Sequence, residues 1–399
     1  MTKTLHHKNR EIIEWLICGG IFCSHYVELL CLSICLIILF SDVKQIKVSK
    51  YILSFIALLG LYSMIAIATI GYEIGKFIQQ FALIAFYTIS YATIFPFLKG
   101  YLNELFTKYL KIAIIVAFIG IIQWIVYILF HLDIFHFLYS RPVYSMGNIF
   151  IRISSIMDEP GYLSIALTPC VVYFTSIKPY PINFKKIAVV LTFILTFSAI
   201  SYVVLGLSLL YSIAKKFKLI FLSLIVLIPL IISYSNINST NNDSIFRGIT
   251  ERIDDSIKGI NNLEPIYFER LNLSSYALIS NLWVAINAPN RIYGTGLGTH
   301  EQNYLNTYKS DYQYYGFNQK DGYSLFNRIF SEFGIIGLFV LFIFVFKWFN
   351  SRSFINICAF FLILSFILKG GHYVRYGLIF WTFMYYYSHK LMHNNEIEI

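Results

Sequence analysis

Twenty-eight consecutive residues, Ile187–Ala214, carry no charged side chain, and Leu219–Ser233 and Ile335–Phe346 repeat the pattern. About 20 apolar residues suffice for a helix to cross a bilayer, and runs of this kind are ill suited to the surface of a water-soluble domain. Charged residues make up 13% of the 399-residue chain, against about a quarter in a typical soluble domain. The chain therefore reads as a polytopic membrane protein. That excludes a soluble two-domain enzyme, a nucleic-acid binder and a disulfide-stapled secreted domain. The net charge of +10 becomes a matter of membrane topology.

Polar breaks divide the chain into apolar segments at 12–24, 27–40, 51–70, 77–97, 112–130, 161–177, 187–199, 201–214, 219–235, 328–346, 354–368 and 377–388. This predicts an all-α polytopic transmembrane bundle of about twelve helices. The pairs 12–24 with 27–40 and 187–199 with 201–214 each read as a tight hairpin of short helices. Three regions follow: an N-terminal bundle at 1–235, a polar loop at 236–325 and C-terminal helices at 326–399. The basic N-terminus precedes a segment holding Glu14, His25 and Glu28 without a clear small-residue cleavage site, so it reads as retained. All six cysteines fall in apolar segments without metal-ligand spacing, as inert packing residues do.

Lysines recur at alternate breaks, as the positive-inside rule requires when both termini are cytoplasmic. The 236–325 loop then lies outside. Of 21 Lys, 16 fall on the predicted inner side, whereas of 10 Arg only Arg10 and Arg352 do. The outer arginines are Arg141, Arg152, Arg247, Arg252, Arg270, Arg291, Arg328 and Arg375. Orientation does not explain them. Pairing with outer carboxylates is one account, and a ligand phosphate, which suits the planar guanidinium fork, is the other.

Two outer segments carry most of the polar chemistry. In Arg152-Ile-Ser-Ser-Ile-Met-Asp158-Glu159-Pro160, the proline suits a first helical position and the acids suit a helix N-terminus. A cap with a salt bridge from Arg152 is one reading. The other has Arg152 binding an anion while Glu159 binds or deprotonates a hydroxyl. In the long loop, Ile245–Ile260 and Tyr267–Ile286 show helical spacing and predict two amphipathic helices. Gly294-Thr-Gly296-Leu-Gly298 offers bare backbone amides to an anion, although a plain glycine turn fits equally. His300 is the one histidine in this loop and a candidate base. The loop closes at Asp321-Gly-Tyr, and Arg328 and Glu332 then share a helix face. Glu332 must pair or face a cavity there.

These features resemble the O-antigen polymerase family, the Wzy-type polymerases of lipid-linked oligosaccharides. The resemblance lies in the layout along nearly the whole chain, in Arg152 with Glu159-Pro160, and in Gly294-x-Gly-x-Gly298-Thr followed by Asp321-Gly-Tyr and Glu332-x-Gly-Ile-Ile-Gly337. It implies a GT-C-like bundle with its large loop in the periplasm of a Gram-negative bacterium. The implied reaction moves a growing polysaccharide from undecaprenyl pyrophosphate onto the non-reducing end of an undecaprenyl-pyrophosphate-linked repeat unit, at the outer face of the inner membrane. No cofactor or metal is implied, and the expected partners are the lipid-linked oligosaccharide, the bilayer and a separate chain-length regulator. Arg152, Arg291 and Arg328, with Arg247 and Arg270, are the expected pyrophosphate binders. The base stays open among Glu159, His300, Asp321 and Glu332, with Glu159 placed nearest the acceptor. The related O-antigen ligases share this architecture and place a functional histidine where the large loop meets the next helix; Asp321-Gly-Tyr stands there instead. A flippase is a third reading, disfavoured by the lack of a half-repeat and by the long loop.

Overall fold

The helix Pro160–Val172 is apolar all round, and every one of its residues is buried. A helix without a polar face belongs in the middle of a bundle. The computed structural model describes residues 2–42, 48–135, 145–146, 150–216 and 254–393. In chain order the helices are α1 (Thr2–Gly20), α2 (His25–Asp42), α3 (Lys50–Ile70), α4 (Gly75–Leu98), α5 (Leu102–Phe130), α6 (Pro160–Val172), α7 (Phe184–Leu195) and α8 (Ala199–Lys216). They continue with α9 (254–261), α10 (Pro265–Phe268), α11 (Leu273–Ile286), α12 (His300–Thr307), α13 (Leu325–Lys347), α14 (Phe354–Leu368) and α15 (Leu378–His393). A two-residue hairpin, Ser145–Met146 with Phe150–Ile151, precedes α6.

Each of the eleven predicted apolar segments inside the described residues is helical; the segment 219–235 lies outside them. Among the described residues, four stretches are long and apolar enough to cross a membrane: Lys50–Ile70, Gly75–Phe130, Pro160–Ile177 and Leu325–Lys347. The other apolar helices are shorter. α3 exposes Leu53, Phe55, Leu58, Leu61 and Ile65, the pattern of a helix solvated by lipid. α6 packs against α5, α7, α8 and α14, in a core that includes Tyr109 and Trp381 set edge to face at 4.8 Å. The break predicted between 199 and 201 falls slightly earlier, at Thr196–Ser198, where Phe197 takes φ 45°.

The loop region differs from the sequence pattern in one respect. Tyr267–Ile286 is not one helix, because the Asn272 side chain accepts from the Ser275 amide and starts α11 afresh, while Asp255 accepts from the Asn272 backbone amide at 3.0 Å. Side-chain capping of this kind outweighs hydrophobic periodicity at a helix boundary. α11 and α12 enclose an aromatic core of Phe268, Tyr276, Tyr304 and Tyr308 and pack onto α13. The first predicted loop helix is described only from residue 254.

The glycine run proves to be a clasp. α13 is broken at Gly334 (φ 63°, ψ −161°), and the segment beginning at Arg291 threads into the break. Ile335 N donates to Arg291 O at 2.9 Å and Ile336 N to Ile292 O at 3.2 Å, while Gly296 N donates to Glu332 O at 2.8 Å. The broken helix ends thus recover their backbone partners, as buried or membrane-embedded amides must. A Cβ on Gly294 would overlap the Glu332–Phe333 backbone, and one on Gly296 would stand 2.9 Å from Ser63 O. The Gly294 amide donates to Asn290 O at 2.8 Å. Two amides of the supposed anion cradle are therefore already committed, and the glycines serve close packing.

Candidate functional site

Polar side chains converge where the N-terminus of α6, the start of α13 and the loop between α14 and α15 meet. Glu159 is the residue before the first turn of α6, with extended backbone (φ −142°, ψ 146°), and its carbonyl accepts from Tyr162 and Leu163. Its side chain does not cap the helix. The carboxylate is half-buried, and burial raises its pKa above the usual carboxylate range. Lys369 and Arg152 oppose that rise, whereas Asp158 and Asp321 add to it. Such a group suits proton transfer near neutral pH. Asp158 beside it accepts from Tyr376 Oη at 2.6 Å, and the Tyr376 ring stacks on Tyr162 at 4.2 Å.

Asp321 is 5% exposed and is held from several sides. Asn318 Nδ2 and Tyr323 N each donate to Oδ1 at 3.1 Å, and Tyr162 Oη donates to Oδ2 at 3.4 Å. Gly322 (φ 72°) and Tyr323 (φ 63°) are both left-handed, which turns the chain sharply from Asp321 into α13, whose Ser324 side chain accepts from Asn327 N. Gly371 lies so close that a Cβ there would overlap the Asp321 carbonyl.

The residue that the sequence reading missed is His372. Its Nε2 is 3.2 Å from Asp321 Oδ2. Burial pushes the imidazole pKa down to about 4; Asp321 opposes the shift, while Arg375 and Arg328 add to it. At neutral pH the ring is neutral. A proton on Nε2 shared with Asp321 leaves Nδ1 as an acceptor, the arrangement of a base held by an orienting carboxylate. His372 is 51 residues from Asp321 in the chain, but Lys369-Gly-Gly-His372-Tyr-Val-Arg375 in a predicted outer break between apolar runs was a readable signal. Arg375 is half-buried in the same loop and acts electrostatically on His372, Tyr162 and Tyr376.

The remaining candidates fall into other roles. Arg328 is 3% exposed and Glu332 0%. Arg328 Nε meets Glu332 Oε1 at 3.1 Å, Nη1 donates to Gly371 O at 2.7 Å, and Nη2 donates to Gln80. Its guanidinium also lies 4.3 Å from the Tyr373 ring centre, while Tyr373 Oη donates to Glu332 Oε2 at 2.8 Å. With each of its three nitrogens bonded to protein, Arg328 braces the His372 loop instead of presenting a fork to a ligand, and Glu332 is its counter-ion instead of a base. Arg152 Nε donates to Thr196 O at 3.1 Å and remains within the electrostatic reach of Glu159. Arg291 is exposed, with Nη2 3.4 Å from Asn287 Oδ1, and Arg270 is exposed; neither is drawn into this cluster. Arg247 lies outside the described residues.

His300 is 1% exposed and turned inward. Asn281 Nδ2 donates to Ala277 O at 2.7 Å, so Asn281 Oδ1 is left as the acceptor 2.9 Å from His300 Nε2. The ring supports Gly322 from below, 3.2 Å from where a Cβ would stand, and is no candidate base for a substrate hydroxyl. Burial, with Arg328 adding and Asp321 opposing, lowers its pKa from 6.5 to about 3. Between those values the unfolded chain binds a proton that the folded chain refuses, so this contribution to stability is present above pH 6.5 and is lost as pH falls toward 3. The stability difference between the wild type and His300→Gln, followed by thermal unfolding in detergent, therefore shrinks across that window. A difference that stays flat overturns the assignment of a buried neutral ring.

The site thus gathers three carboxylates (Asp158, Glu159, Asp321), three cations (Arg152, Lys369, Arg375) and one neutral imidazole. Among the described residues no group of three or more His, Cys, Asp or Glu side chains is placed to hold a metal ion. The arrangement can receive an anion and take a proton from a hydroxyl side by side. No protein-family model, curated protein or solved structure matches the chain.

Proposed function

We propose that this chain is a membrane-embedded glycosyltransferase that uses a lipid-pyrophosphate donor, an O-antigen polymerase acting at the periplasmic face of a bacterial inner membrane. The observation that carries the reading is the half-buried Glu159 carboxylate, with its raised pKa, among Arg152, Lys369 and the Asp321–His372 pair at the mouth of a helical bundle. A sugar hydroxyl needs a proton acceptor as it attacks, and Glu159 fits that task. A departing pyrophosphate needs fixed positive charge as the glycosidic bond breaks, and the site's cations fit that one. Arg152 and Glu159 keep the roles expected from the family resemblance, whereas Asp321 becomes the carboxylate that orients His372. Lys369 and Arg375 take the places assigned earlier to Arg291 and Arg328.

One observation favours a second reading. His372 beside Asp321 puts an imidazole at the junction of the large loop with α13, where ligases use one. A deletion strain separates the two on a lipopolysaccharide gel. Loss of a polymerase leaves lipid A-core capped by one repeat unit, whereas loss of a ligase leaves bare core with polymer on its carrier. A ladder of unchanged length overturns both.

A further inference from the structure

Lys369, one of the site's cations, lies against a bare stretch of backbone at the start of α6 that the transfer reading does not by itself require. Gly161 is the second residue of α6, and its amide belongs to the first turn, where N–H groups have no partner inside the helix. The point where a Cβ on Gly161 would stand is 3.0 Å from Lys369 Nζ and 3.8 Å from Ser198 Oγ. Ser198 is 0% exposed, and its hydroxyl has no hydrogen-bond partner among the described residues. A buried hydroxyl left unpaired is costly, so a partner is expected there. Its position, in the break between α7 and α8, aims it at the α6 N-terminus.

We propose that Gly161, Ser198 and Lys369 form a phosphate cradle at the N-terminus of α6, occupied by the pyrophosphate of the lipid carrier. The three parts supply what an oxyanion takes: an amide at the positive end of a helix dipole, a hydroxyl donor and an ammonium charge. Pro160 at the first helical position leaves the Gly161 amide as the outermost one, and the absence of a side chain at Gly161 lets the Lys369 ammonium end come up against it. The cradle adjoins Glu159, so a pyrophosphate held there sets the sugar it carries beside the candidate base. The proposal rests on the transfer reading for the identity of the carrier, but not for the binding of phosphate.

The test is a binding measurement on the full-length protein in lipid nanodiscs, without turnover. Inorganic pyrophosphate and farnesyl pyrophosphate are titrated separately against the wild type, Gly161→Ala, Ser198→Ala, Lys369→Met and, as a control, Lys258→Ala. Gly161→Ala puts a methyl group between the α6 amide end and the Lys369 and Ser198 donors, 3.0 Å from a flexible lysine end that can move aside. Ser198→Ala removes only an oxygen, so its folding is secure even if another variant is lost. The expected result is that wild type and Lys258→Ala bind alike, while the other three variants lose at least tenfold in affinity. Tighter binding of farnesyl than of inorganic pyrophosphate assigns the cradle to a lipid carrier; equal binding overturns the lipid assignment. Unchanged affinity in both Gly161→Ala and Ser198→Ala overturns the cradle altogether. If the cradle binds but the deletion strain keeps its ladder, the transfer reading fails and the phosphate site stands.

Discussion

Glu159→Gln is expected to remove polymer extension by about 10²–10⁴-fold, the usual contribution of a positioned general base, while the protein reaches the membrane at wild-type level. The substitution preserves shape and removes only the ability to take a proton. Since the carboxylate does not cap α6, the helix loses no bond with it. Burial raises the Glu159 pKa, so wild-type activity falls as pH drops through a value above the ordinary carboxylate range, and Glu159→Asp keeps such an acid limb at a displaced position. Asp158→Asn serves as the comparison: it weakens one hydrogen bond from Tyr376 and should cost far less. The readout is chain extension in membranes supplied with lipid-linked repeat units. Full extension by Glu159→Gln, with Asp321→Asn or His372→Ala inactive, would move the base to the Asp321–His372 pair.

Much of the bundle was legible because burial in lipid leaves a strong periodic mark. Uncharged runs of membrane length and lysines at alternate breaks are local features, and the helices fall where they predict. Glu159 was legible for the same reason, since a proline that starts a helix fixes the position of the acid before it. The rest of the site is made by long-range contact. Nothing in Asp321-Gly-Tyr reveals that Gly371 will press against its carbonyl and bring His372 alongside. The glycine run left both readings open because glycine serves two ends: it bares amides for anions and lets backbones approach. Only the packing of Gly294 on the α13 break decides between them. Sorting Arg from Lys likewise pointed to a surplus of arginines in the breaks expected to lie outside, but not that Arg328 would turn into the protein while Lys369 came to the site.

That inward turn of Arg328 leads to the largest stability effect. Arg328→Met leaves Glu332 fully buried with Tyr373 as its remaining hydrogen-bond donor, and it also frees the Gly371 carbonyl. Breaking a buried ion pair from one side costs about 3–5 kcal/mol, because a charge is left without its counterpart. Glu332→Leu strands the guanidinium and should cost a similar amount. The double variant Arg328→Met with Glu332→Leu removes both charges and should recover most of the loss, as apolar replacements of buried pairs commonly do. Thermal unfolding followed by size-exclusion chromatography measures all three. Recovery of stability should not bring recovery of transfer, since Gly371 and with it His372 lose the anchor that Arg328 supplied. If Arg328→Met keeps wild-type stability and loses only substrate affinity, Arg328 is a ligand-binding group after all, and the brace assigned to it is wrong.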